Sequence, residues 1–68
     1  MSNKEMIETL ENDIRISNNP KSHFRNAKVI GLLMAADKCW MIPGRQAVAQ
    51  RLEVEAMKLL QNTGKEED

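Results

Sequence analysis

From Phe24 to Ile42 the chain is apolar on every side of a helix. Phe24, Ala27, Val29, Ile30, Leu32, Leu33, Met34, Ala35, Ala36, Cys39, Trp40, Met41 and Ile42 leave no continuous polar face. A helix apolar all round has to be buried all round. The chain has only 68 residues, and a domain of that size buries about 60% of the surface its unfolded form exposes. One neighbouring helix from the same chain cannot cover such a segment, so the pattern predicts self-association. Small domains otherwise gain stability from disulfides or a metal, and a single cysteine, Cys39, excludes an internal disulfide.

On either side of this segment the spacing predicts two more helices. Ser2 followed by Glu5 matches a capping box, in which each side chain satisfies a backbone N–H of a first helix over residues 3–16. Met6, Ile7, Leu10 and Ile14 give that helix one narrow apolar stripe, suited to lying on a surface or docking on demand. Ser17-Asn18-Asn19-Pro20 then stops one helix and starts another over residues 21–42, because proline in the first turn loses no needed hydrogen bond. Pro43 and Gly44 end it, and a third helix follows over residues 45–61, stopped by Asn62-Thr63-Gly64. Val48, Ala49, Leu52, Ala56, Leu59 and Leu60 form its main stripe, while Arg51, Glu55 and Lys58 form an exposed ladder. Two long helices joined by so short a connection are normally antiparallel neighbours.

The expected fold class is therefore all-α: two to three helices with a central antiparallel helical hairpin, assembled as an oligomeric helix bundle. Residues 1–64 form the single helical domain, and residues 65–68 a disordered acidic tail. The expected interface between copies is Ala27, Ile30, Gly31, Leu33, Met34, Val48, Leu52 and Leu59. Ala27, Gly31 and Ala35 recur every four residues, where small side chains would let another helix backbone come close, unless Gly31 is simply tolerated in the helix. A homodimer or homotetramer would satisfy this pattern.

Ten basic residues cancel ten acidic ones, yet the charge is segregated. Residues 1–20 hold two cations against four acids, residues 21–51 six against one, and residues 52–68 two against five. Lys21, Arg25 and Lys28 follow at helical spacing near the start of the second helix, as a solvated face or a dock for an acidic surface. That acidic surface is either the first helix of another copy, with Glu5, Glu8, Glu11 and Asp13, or a second protein. Trp40, Met41 and Arg45 belong to the residue types enriched in interfaces, although core packing is the ordinary fate of a lone tryptophan. The expected partner-binding set is thus Lys21, Arg25, Lys28, Trp40, Met41 and Arg45.

Catalysis has little to work with. The one histidine, His23, adjoins Ser22, and neighbouring residues on a helix point about 100° apart. One cysteine and one histidine cannot supply the four ligands of a zinc site, and the three glycines form no phosphate loop. No enzyme, metal or cofactor is expected. The longest uncharged apolar run, Val29 to Ala36, is far short of the ~20 residues a membrane-spanning helix needs, and the N-terminus has no apolar run behind Lys4. The expectation is a cytoplasmic protein with no membrane partner.

Residues Arg45 to Val54 resemble the first helix of a helix-turn-helix, which makes a small DNA-binding transcriptional regulator the alternative reading. That motif places a glycine or flexible polar residue where this chain has Glu53, and the reader helix would be the apolar Ala56 to Asn62. Direct nucleic-acid binding is therefore not the favoured expectation. In size and layout, with a capped first helix, the apolar Phe24–Ile42 and then Arg45–Gln61, the chain resembles small accessory regulators of temperate bacteriophages of the antirepressor type. The resemblance implies an oligomeric regulator, phage or prophage encoded, that acts stoichiometrically by binding and inhibiting a partner such as a transcriptional repressor.

Overall fold

The computed structural model describes residues 2–61; the expected stop at Asn62-Thr63-Gly64 and the expected tail at 65–68 lie outside the described residues. Three helices follow one another: α1 (Asn3–Ile16), α2 (Pro20–Trp40) and α3 (Gln46–Gln61), with no strand among the described residues.

Each boundary has a local cause. At the start of α1 the Ser2 Oγ accepts from the Glu5 N–H at 3.2 Å. The Ser2 hydroxyl in turn donates to the Glu5 carboxylate at 3.1 Å. Between α1 and α2, Asn19 caps the next helix, its Oδ1 accepting from Lys21 N–H at 3.0 Å and Ser22 N–H at 3.5 Å, with Pro20 in the first turn. Losing such a cap costs typically about 1 kcal/mol. Asn19→Ala should therefore lower the melting temperature by about 4–8 °C in a domain this small, read by far-UV circular dichroism; an unchanged melt would show the cap to be idle.

α2 ends at Trp40, two residues before the boundary the sequence suggests. Proline disfavours the helical region for the residue before it, so the chain tightens early. Met41 N–H bonds the Lys38 carbonyl at 3.2 Å, and Ile42 N–H the Cys39 carbonyl at 3.1 Å. Arg45 N–H then closes on the Ile42 carbonyl at 3.1 Å. Proline second and a positive-φ glycine third is the type II pattern, and Gly44 has φ +83°.

Both α1 and α3 pack on α2. Leu10, Val29, Leu33 and Ala56 make one buried cluster drawn from all three helices, with Met6, Ile7, Ile30, Leu32, Leu59 and Leu60 against it. α1 is thus docked on its own chain through Leu10. α3 runs unbroken through Glu53, so residues 45–54 do not form the first helix of a helix-turn-helix. Among the described residues no helix is long and apolar enough to cross a membrane.

Candidate interaction surfaces

The packing of α1 and α3 leaves one side of α2 uncovered. Phe24, Ala27, Gly31, Met34 and Ala35 are all exposed there, at steps of three and four residues that place them on one face. Phe24 is 66% exposed and Met34 54%. A methyl group built on Gly31 would meet nothing within 4 Å, so no contact inside the chain requires glycine at this position.

The expected interface residues separate on this frame. Ala27, Gly31 and Met34 lie on the bare face, and Val48 is exposed on α3. Ile30, Leu52 and Leu59 are half-buried, and Ile30 and Leu59 pack against the core. Leu33 corrects the expectation. It is 0% exposed and belongs to the chain's own core, because its side of α2 is the one that α1 and α3 both approach.

The expected partner-binding residues fall into two places. Lys21, Arg25 and Lys28 share a groove of about 470 Å³ with Pro20, Phe24 and Leu59, which sets the start of α2 beside the end of α3. Trp40, Met41 and Arg45 lie at the far end of α2, with Trp40 about 18 Å along the helix from Lys28 and about 28 Å from Lys21 at a rise of about 1.5 Å per residue. Trp40 is neither core nor free. It is 39% exposed, and its indole Nε1–H donates to Glu53 Oε2 at 2.9 Å.

Three polar residues outside the expected interface and partner-binding sets shape these ends. Asn26 is 2% exposed in the middle of an apolar helix. Its Oδ1 accepts from Arg25 Nε at 3.4 Å and Nη2 at 3.3 Å, while Nη2 also reaches Ser22 Oγ at 3.4 Å. A buried polar group needs a partner, and here it takes the guanidinium as one. Asn3 and Glu53 act at the other end. Asn3 Nδ2 donates to Asp37 Oδ1 at 2.9 Å and to Glu53 Oε2 at 2.7 Å, joining α1 to α2 and α3. An asparagine inside an apolar run with Arg and Ser one and four residues earlier is a legible signal; the Asn3 contacts span 34 and 50 residues and leave no local trace.

No family model, curated protein or solved structure matches the chain.

The remaining chemistry is sparse. His23 Nε2–H donates to the Ser17 carbonyl at 2.5 Å, tying the start of α2 back to the end of α1. Ser22 contacts the Arg25 guanidinium and not the imidazole. Cys39 is a half-buried free thiol. Among the described residues no three His, Cys, Asp or Glu side chains gather as metal ligands.

Proposed function

We propose that this chain is a protein-binding module that works in multiples. Copies associate through the bare face of α2, and the assembled body occupies the working surface of a second protein, acting stoichiometrically. The carrying observation is the uncovered row Phe24, Ala27, Gly31, Met34 and Ala35 on a helix whose other sides are already packed. Lys28 and Lys38 are exposed on the same side and frame the row, and exposed apolar surface rimmed by polar residues marks a place where something binds. A second copy is the natural occupant because the row is self-complementary: the large Phe24 and Met34 flank the small Gly31, so two α2 helices crossing there each fill the other's gap.

Within each copy, α2 and α3 are read as an antiparallel hairpin, consistent with Leu59 lying beside Pro20 and Glu53 beside Trp40. Paired hairpins then form the bundle, with α1 outside. A transcriptional repressor is the kind of target implied by the resemblance to phage antirepressors, and inhibition by occupancy needs no catalytic group.

Sedimentation equilibrium tests the assembly. The expected mass is two or four times the 7.8 kDa of one chain, and Met34→Glu should reduce it to one chain with the helical spectrum intact. Gly31 sharpens the test. In an isolated chain Gly31→Ala fills open space and should stabilise the helix by about 1 kcal/mol, whereas Gly31→Leu should leave the fold intact and abolish the assembly. A wild-type chain that stays single at micromolar concentration would sink this reading.

A further inference from the structure

The groove at the start of α2 is centred on a different side from the bare face, although Phe24 and Lys28 border both. Three cations line it, and none of Lys21, Arg25 and Lys28 is paired with a carboxylate among the described residues. Two of them are held in place. Asn26 and Ser22 orient the Arg25 guanidinium while leaving Nη1 without a partner among the described residues, and the Lys28 ammonium sits 4.8 Å from the centroid of the Phe24 ring. A guanidinium held this way loses little freedom on meeting a carboxylate, which Nη1 can engage through a charge-assisted hydrogen bond. Between the cations the lining is apolar, from Pro20, Phe24 and Leu59. The volume of about 470 Å³ is that of a ligand site.

We propose that this groove receives an acidic peptide segment of the partner protein, one that carries an apolar side chain between its carboxylates. The groove's role rests on the protein-binding reading above, but not on self-association. Charge complementarity selects the acids, and the Phe24–Leu59 floor selects the apolar group. A nucleic-acid backbone would match the cations alone and leave the apolar floor of Pro20, Phe24 and Leu59 unused. The chain's own Glu66, Glu67 and Asp68 likewise bring charge without an apolar side chain.

The probe is a short capped peptide of alternating glutamate and leucine, titrated into the full chain and followed by backbone amide NMR. Shifts should concentrate on residues 20–28 and 59, with Gln/Leu and Glu/Ser control peptides binding about tenfold more weakly, the effect of losing the charge-assisted or the apolar contacts. Arg25→Gln should cost a similar factor. The exposed pair Lys21→Gln/Lys28→Gln, which touches nothing in the core, should do the same without altering the fold. Met34→Glu should bind the peptide as the parent does, which separates failure of the groove from failure of the assembly. Equal binding of the Gln/Leu peptide would overturn the proposal, as would matching shifts from a random DNA duplex at the same concentration. So would tighter peptide binding by E66Q/E67Q/D68N, since the chain's own acids would then be the occupant.

Discussion

Leu33→Ala is expected to leave the chain largely unfolded at temperatures where the parent is folded. Leu33 has no exposed surface and meets Leu10, Val29 and Ala56 in a cluster that draws on all three helices. Truncating a buried leucine costs roughly 2–5 kcal/mol, the transfer free energy of the lost methyl groups plus the cavity they leave. A chain of 68 residues holds a total stability of roughly 3–10 kcal/mol at the usual 0.05–0.15 per residue, so one substitution removes a large part of it. At about 4–8 °C per kcal/mol the melting temperature should fall by about 8 °C or more. Circular dichroism melts at several concentrations would measure this. A loss of a degree or two, accompanied by dissociation of the assembly, would instead place Leu33 at an interface between copies.

The second large effect is expected at Glu53, where one carboxylate oxygen joins three helices. Its Oε2 accepts from Asn3 Nδ2 at 2.7 Å and from Trp40 Nε1 at 2.9 Å. Hydrogen bonds to a charged acceptor contribute about 1.5–3 kcal/mol each when well shielded. Trp40 is part-exposed and water competes there, so about 2 kcal/mol for both is a fair expectation for Glu53→Ala. The loss should be local. α1 is held by Leu10, Met6 and Ile7 and by the Asn3 amide, so amides in its first two turns should exchange faster while those around Val29 and Leu33 stay protected. Trp40 emission should shift to the red as the indole N–H turns to water. Glu53→Gln keeps an acceptor oxygen and should do less, and Asn3→Ala should free α1 without moving the Trp40 emission. If the α1 amides stay as protected in Glu53→Ala as in the parent, the apolar contacts alone dock the helix.

Both predictions concern residues whose importance comes from meeting distant parts of the chain. Leu33 reads in the sequence as one apolar residue among thirteen between Phe24 and Ile42, and nothing local distinguishes it from Met34 beside it. The two differ because α1 and α3 both choose the Val29–Leu33–Ala36 side of α2, placing Leu33 inside and Met34 outside. Phe24, the largest apolar residue of the second helix apart from Trp40, is likewise left to solvent. Periodicity can rank faces when one is polar; on a helix apolar all round it has nothing to rank.

The groove was half legible. Lys21, Arg25 and Lys28 stand at helical spacing and predict a common face, which the structure joins to Phe24 and Leu59. Leu59 comes from another helix, and the hold of Asn26 on Arg25 depends on a side chain sunk in the core. Trp40 and Met41, grouped with these cations by residue type, belong to the other end of α2.

What the sequence determined alone is the set of elements: helices, caps and turns are short-range matters, decided by Ser2, Asn19, Pro20, Pro43 and Gly44 through hydrogen bonds and backbone sterics within a few residues. Which apolar residues became core, which stayed on the surface, and which polar side chains bridge helices were decided only by tertiary packing. The physical reason is that burial belongs to a pair of surfaces, and a linear pattern specifies just one of the two.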